Sequence, residues 1–222
     1  MKKSAMLGIV AGALLTSNAF AVVFNDAAGD QWPLSGGEHL DITSVEVTNT
    51  DTHITFLFTL TGDPIATNWG KYGAVIRHAG ATTDTLAWNR NLDLVGGQNG
   101  WIATWVDQPN TNLQAWNWDG AAWQGGTVGD SVVTSNSVSI TVSLASIGVT
   151  LGETITFDAV STVGGDGDTA TDSLTGATPT DWQSQIDLPG NSYTVAAVPE
   201  PATMTVLAIG AMAAMARRRR KA

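Results

Sequence analysis

The chain has 222 residues, of which 43% are hydrophobic and 14% charged, with 24 glycines, nine tryptophans and no cysteine. This composition suits one globular domain with a buried core, and the missing cysteine excludes disulfides, thiol catalysis and cysteine-ligated zinc. Between residues 22 and 197, three cations (Lys71, Arg77 and Arg90) stand against 19 carboxylic acids, a net charge of −16. Because a phosphate backbone is bound by clustered cations, we exclude a nucleic-acid partner.

The N-terminus has the three parts of a secretory signal peptide. Lys2 and Lys3 precede an apolar run over residues 5–15, and Ala19-Phe20-Ala21 places small residues at a cleavage site. The apolar run is too short for a permanent membrane anchor. We therefore predict that residues 1–21 are a signal peptide that engages the Sec translocon and is removed after Ala21.

An acidic loop directly after this cleavage point is a candidate calcium site. Residues 25–30 bring the carboxylates of Asp26 and Asp30 and several backbone carbonyls together, and Asp41 opens the next predicted strand. Calcium takes six to eight oxygen ligands of these kinds. A second acidic cluster at 166–172 fails the EF-hand pattern. Turn chemistry without any metal is the alternative for both loops, because Asp is favoured in turns.

Alternating hydrophobicity predicts strands through most of the chain. The clearest are His53–Leu60, Ser137–Leu144 and Thr154–Ala159, each with one apolar and one polar face. Weaker strand candidates are 40–47, 72–78, 85–94, 100–106, 113–118, 121–124 and 193–197. About ten strands in roughly 175 residues predict an all-β fold, a single antiparallel β-sandwich of jelly-roll type over 22–197. The polar stretch 164–190 is predicted to be a long loop.

Tryptophan is the most informative residue type. Five of the nine tryptophans fall within residues 101–123, and strand parity puts Trp101 and Trp105 on one face, roughly 13 Å apart. Two interpretations stay open: the indoles fill the core, or Ile102, Val106 and Leu113 face inward and the indoles form an outer platform for sugars. On the second interpretation the candidate glycan-binding residues are Trp69, Trp88, Trp101, Trp105, Trp116 and Trp118.

Motifs for catalysis are missing from the sequence. It contains no His-Glu-x-x-His, no Gly-x-Ser-x-Gly and no phosphate-binding Gly-Lys-Ser/Thr loop, and its three histidines are scattered. Paired carboxylates of the glycoside hydrolase type stay open as an alternative, because 19 acids offer many pairs. We expect a protein that is not an enzyme.

The C-terminal segment 198–222 combines a tripeptide, an apolar run and a basic end in a fixed order. The tripeptide is Pro199, Glu200 and Pro201, and the basic end contains Arg217, Arg218, Arg219 and Arg220. As a helix, residues 202–216 would span about 22 Å, short of the ~30 Å hydrocarbon core, with the arginines on the cytoplasmic side. This favours a temporary hold in the inner membrane, with an ordinary tail anchor as the alternative.

This order of parts resembles the PEP-CTERM sorting signal. The resemblance implies that an exosortase, a membrane cysteine peptidase, recognises the Pro-Glu-Pro tripeptide and processes the tail. It also implies a bacterial protein, from a cell that makes exopolysaccharide, destined for the cell surface or the extracellular matrix.

A second resemblance concerns about residues 22–95. Asp26–Asp30, Leu40–Val47 and Ile54–Phe58 are similar to the N-terminal half of DOMON and family-nine-type carbohydrate-binding modules. Those β-sandwiches often hold structural calcium near the acidic loop and bind sugars or, in some branches, haem. The resemblance implies that Asp26, Asp30 and Asp41 belong to the calcium loop. Haem is not expected, because residues 22–197 contain no methionine to serve as an axial ligand.

The sequence thus predicts an exported bacterial surface or matrix protein that binds extracellular polysaccharide without catalysis. A purely structural matrix or biofilm protein is the alternative, with a glycoside hydrolase behind it.

Overall fold

The structure is a computed structural model that describes residues 21–33, 36–83, 87, 90–106, 112–164 and 167–198. Residues 19–197 form one compact unit. Nearly all of the predicted signal peptide and sorting signal, with Trp88 and Asp166, lie outside the described residues. Within the described ranges, no helix is long and apolar enough to cross a membrane.

Strands make up most of the described chain. In chain order they are β1 (Val22–Asn25), β2 (Ile42–Asn49), β3 (His53–Leu60), β4 (Lys71–Arg77), β5 (Leu92–Leu94), β6 (Gly100–Trp105), β7 (Asn112–Trp118), β8 (Trp123–Asp130), β9 (Val132–Val133), β10 (Ser137–Ser143), β11 (Thr154–Thr162), β12 (Asp172–Ser173), β13 (Ile186–Leu188) and β14 (Asn191–Thr194). Two short 3₁₀ turns, Glu38–Leu40 and Leu144–Ile147, interrupt them.

Two antiparallel sheets form the sandwich. The first sheet has the order β1-β2-β3-β10-β9, and the second has the order β12-β11-β4-β6-β7-β8, with β14 also paired to β11. A separate parallel pair joins β5 to β13. The predicted all-β antiparallel sandwich is confirmed, because every pairing within the two main sheets is antiparallel.

The first core lies between the two sheets and follows from the strand alternation. On β3, Ile54, Phe56 and Phe58 are fully buried, whereas Thr55 and Leu57 between them are only partly buried. Two edge-on aromatic contacts hold the sheets together, since the ring of Phe157 on β11 lies 5.3 Å from Phe56 and 5.1 Å from Phe24. Burying side chains of this size stabilises the fold by roughly 1.5–3 kcal/mol each.

A second core covers the outer face of the second sheet. It contains Val75 of β4, Trp101 of β6 and Val160 of β11, and the pair β5–β13 closes over it with four buried aliphatic residues. Those are Leu92, Leu94, Ile186 and Leu188. The middle strands of this sheet are therefore buried on both faces.

The prediction of one long loop over 164–190 was wrong in two places, because β12 and β13 lie there. Each has only two or three residues and pairs with a strand distant in sequence, so local alternation gives no signal. Within the described part of the predicted strand 85–94, the structure has a strand at Leu92–Leu94 and an isolated bridge between Ala87 and Arg90. Residues 85, 86, 88 and 89 of that stretch lie outside the described ranges.

Hydrogen bonds join the last strand, β14, and the residues after it to the first sheet, shortly before the sorting signal begins. The Tyr193 hydroxyl donates to Asn49 Oδ1 at 2.7 Å, and Asn49 Nδ2 donates to the carbonyl of Ala196, also at 2.7 Å. Both side chains are buried, and burial raises the pKa of the Tyr193 hydroxyl. A buried polar network of this kind stabilises the fold only while its members stay paired.

Replacing Tyr193→Phe should lower the free energy of unfolding by about 1–2 kcal/mol, because Asn49 Oδ1 loses its buried donor. Thr194→Val is the matched control on the same strand, since it removes an exposed hydroxyl pair with Thr154 and should change stability by less than about 0.5 kcal/mol. Urea unfolding of both variants measures the difference. Equal losses would contradict this account of the last strand.

Candidate metal centre and tryptophan face

Three carboxylates converge at one edge of the sandwich. Asp26, Asp30 and Asp172 each place one oxygen within 4.8 Å of the other two. We call this group the acidic triad. Asp26 and Asp30 come from the loop after β1, and Asp172 comes from β12, so the triad joins segments about 140 residues apart.

Backbone hydrogen bonds hold the two segments in place. The Asp26 amide donates to the carbonyl of Thr43 at 3.0 Å, and the Trp32 amide donates to the carbonyl of Thr171 at 2.7 Å. The loop that carries two members of the triad is therefore bonded directly beside the third. The main chain therefore places the three residues side by side.

Asp41, the third predicted metal ligand, lies outside the triad. Its two carboxylate oxygens accept the Gly29 amide at 3.1 and 2.9 Å, and one of them also accepts the Thr61 hydroxyl at 2.6 Å. Gly29 needs its left-handed φ of +83°, which favours glycine. Asp41 thus shapes the loop, and Asp172 takes its place beside Asp26 and Asp30.

Burial and mutual repulsion disfavour charge on these carboxyls. Burial, followed by the charges of Asp26, Asp30 and Asp41, raises the pKa of Asp172 to about 8, although it accepts the Ile42 amide at 2.6 Å. Burial likewise raises the pKa of Asp26 to about 6, with further contributions from Asp30 and Asp41. Burial also raises the pKa of Asp30. Every charged neighbour that acts on the triad is an acid.

The donor set fits a hard divalent cation. Asp26 Oδ2, Asp30 Oδ1 and the neighbouring Gln31 Oε1 are buried and accept no hydrogen bond from the described residues. Leaving such oxygens without a partner costs free energy, and carboxylate and amide oxygens are the ligands that calcium takes. Asp26, Asp30 and Asp172 would hold the ion, with Gln31 adjoining them.

The second candidate surface is the outer face of the second sheet. Register pairs Trp101 with Trp116 and Trp118 with Trp123, so these indoles share the face opposite to the inter-sheet core. Ile102, Val106 and Leu113 lie in the inter-sheet core, as the outer-platform interpretation requires.

Trp101 has no exposed face on this surface. It is 1% exposed and belongs to the second core, where its ring lies against the backbone of Gly73. A methyl group on Gly73 would come within 2.8 Å of the ring and 2.5 Å of the Ile102 carbonyl, so glycine is required there. This close packing fits the core-filling interpretation for Trp101, although the core it fills is the outer one.

Four other tryptophans on this face are half-buried, and we call them the tryptophan strip: Trp105, Trp116, Trp118 and Trp123. The rings of Trp118 and Trp123 meet edge to face at 5.9 Å. The indole nitrogen of Trp116 donates to Gln114 Oε1 at 3.1 Å. The structure therefore brings three of the predicted glycan-binding residues together with Trp123.

Of the two remaining predicted tryptophans, only Trp69 lies within the described residues, and it does not join the strip. Trp69 lies in the loop before β4, with its ring 4.3 Å from that of His39. Trp88 lies outside the described residues.

Sequence reasoning missed an aromatic pair near the acidic triad. The rings of Trp32 and Trp182 meet edge to face at 4.5 Å, and Trp182 is 37% exposed. Sequence reasoning also placed Asp172 in a different acidic cluster, the one at 166–172. No local pattern reveals either association, because both depend on long-range packing.

The comparison with known families concerns the C-terminus. A family model described as the PEP-CTERM protein-sorting motif matches residues 197–221. The chain carries a PEP-CTERM sorting motif. The chain is therefore an exported protein, sorted by an exosortase and directed to the cell surface. The resemblance drawn from the Pro-Glu-Pro tripeptide and the arginine cluster is confirmed. No curated protein matches the chain.

Without a cation, thermal stability should fall as the pH rises from about 4 to about 8. The pKa values of Asp26 and Asp172 are raised to about 6 and about 8 in the folded state, so each keeps its proton up to that pH, while the unfolded chain has released both above about pH 4. Differential scanning calorimetry in EDTA at several pH values measures this slope.

Asp26→Asn should flatten the slope, because it removes one of the titrating groups and relieves repulsion on the others. Asp187→Asn removes an exposed acid on β13 and should leave the slope unchanged. A melting temperature that rises over this pH range in the parent protein would contradict the assignment.

Proposed function

We propose that residues 22–197 form a non-catalytic polysaccharide-binding module and that the tryptophan strip is its binding face. The observation that supports this most directly is the half-burial of four indoles on one outer sheet face. Large aromatic residues in a β-sandwich are usually buried in its cores, as Trp101 is here. Indoles that keep part of their surface in water on one contiguous face are typical of a binding site.

The chemistry of the strip suits sugars. A flat indole face packs against the C–H face of a pyranose ring, and uncharged polar groups beside it hydrogen-bond the hydroxyls. Gln114 and Thr127 lie on the same face of neighbouring strands and supply such groups.

The sorting motif indicates where the protein would meet its ligand. A protein delivered to the cell surface of a bacterium that secretes exopolysaccharide meets that polymer at high concentration. We propose that the ligand is this extracellular polysaccharide and that binding retains the processed protein in the matrix. The passage of the C-terminal apolar run through the inner membrane is proposed as a transient stage before exosortase processing.

We further propose that calcium occupies the acidic triad as a structural ion. It would be held by Asp26, Asp30 and Asp172, with Asp41 fixing the loop through Gly29 and Thr61. The ion supplies positive charge to a group of carboxylates that repel one another. Three buried oxygens that accept no hydrogen bond from the described residues support this assignment.

The glycan proposal predicts that Trp118→Ala weakens binding of the host's exopolysaccharide by about tenfold or more, because one stacking surface is lost. Trp182→Ala is the control, since Trp182 is exposed and its ring contacts Trp32 rather than the strip. Tryptophan fluorescence during titration measures the affinity. A flat titration curve with the parent protein would favour a purely structural matrix role.

The calcium proposal predicts a higher melting temperature in calcium than in EDTA. At a concentration one hundredfold above the dissociation constant, the ion adds about 2.7 kcal/mol to the free energy of unfolding. Asp26→Asn should melt higher than the parent in EDTA at about pH 8, because repulsion is relieved, and yet gain nothing from calcium. Asp187→Asn should keep the full calcium effect. Identical curves for the parent in calcium and EDTA would dismiss the site.

A further inference from the structure

We propose that the polymer bound by the tryptophan strip is an uncharged glycan and that polymers carrying uronic or other acidic groups are rejected. This inference rests on the proposed function and assigns its ligand class. It follows from the positions of the three cations in residues 22–197 and from the charges that border the strip.

All three cations in residues 22–197 donate hydrogen bonds to main-chain carbonyls. Lys71 is 8% exposed and its ammonium donates to the Val163 carbonyl at 2.8 Å. Arg90 is 2% exposed and its guanidinium donates to the Gly164 carbonyl at 3.2 Å. Arg77 donates to the Val95 carbonyl and to the Thr156 hydroxyl. Lys71 and Arg90 are therefore withdrawn from the surface, and Arg77, which is partly buried, uses two of its donors on these partners.

Lys71 lies beside the strip in the sheet, but its ammonium donates to a carbonyl elsewhere. Lys71 is the direct cross-strand neighbour of Trp105, so it is the cation that adjoins the strip in the sheet. Its ammonium, however, reaches Val163, which follows β11 on the other side of β4. The strip therefore has a cation beside it in register that does not serve as a recognition group.

The charges that do border the strip are negative. Asp119 lies in the turn between Trp118 and Trp123, where its carboxylate accepts the amides of Ala121 and Ala122 and the side-chain amide of Gln124. These hydrogen bonds lower the pKa of Asp119, so it stays ionised at neutral pH. Asp130 closes the same strand, β8. A carboxylate on the ligand would meet like charge at both positions.

Two polar residues of β7 and β8 on this face are neutral. Gln114 and Thr127 offer amide and hydroxyl groups that match sugar hydroxyls, and residues 22–197 carry a net charge of −16. Binding by stacking and neutral hydrogen bonds depends little on ionic strength, whereas repulsion of an anionic polymer weakens as salt screens it. Salt dependence therefore separates the two ligand classes.

The test uses matched pairs of polymers with one backbone. Several neutral glucans are each compared with their carboxymethylated derivatives in affinity electrophoresis, with the protein in EDTA so that no divalent ion bridges carboxylates, at a temperature at which calorimetry in EDTA shows it to be folded. We expect the neutral member that binds to lose about tenfold or more in affinity on carboxymethylation at low salt, with a smaller loss at high salt. Asp119→Asn should shrink that loss while leaving affinity for the neutral polymer within about twofold.

The outcomes separate this inference from the proposed function. A carboxymethylated polymer that binds as well as its neutral parent, or an anionic host exopolysaccharide that binds in EDTA, overturns the inference and leaves the glycan-binding function standing. Absence of binding to every polymer, the host's exopolysaccharide included, overturns both. A loss that does not respond to salt or to Asp119→Asn also overturns the inference, because charge would not be its cause.

Discussion

Burial of the middle strands of the second sheet on both faces is the constraint on which the rest of the structure depends. One face of β4, β6 and β11 packs against the first sheet, and the other packs beneath the short pair β5–β13. A strand in this position needs apolar residues at successive positions, as β4 and β6 have. The layer formed by β5 and β13 is small, so the outer parts of the sheet keep half-buried tryptophans that face water.

The acidic triad imposes a second requirement. The first residues of the mature chain, just beyond the predicted cleavage point, pair with β2 and then supply two carboxylates to a group whose third member comes from β12. Like charges brought together in this way oppose the pairing that positions them. A cation from the extracellular medium would turn this repulsion into a link between the N-terminal segment and the second sheet, at the place where export delivers the protein.

The sequence predicted the fold well wherever one strand face was polar. β3 has the bounds that its alternation indicated, and β10 and β11 begin where expected, since serine and threonine mark the face opposite the core. The burial of Trp101 was not predictable, because both faces of β6 are apolar and the covering residues Ile186 and Leu188 lie more than 80 positions away. Asp172 joined the triad through a two-residue strand, too short for any periodicity. The sorting motif needed no folding argument, since its parts are contiguous in sequence.

We propose that the half-buried indoles of the second sheet form the binding face, while Trp101 and Trp32 are buried in the domain. Each indole N–H gives its own signal in a ¹⁵N–¹H correlation spectrum, so titration with a neutral glycan reports on every tryptophan at once. We expect the signals of Trp116, Trp118 and Trp123 to move in a saturable manner while those of Trp101 and Trp32 stay fixed. Movement confined to Trp69 and Trp182, or no movement at saturating polymer, would contradict it.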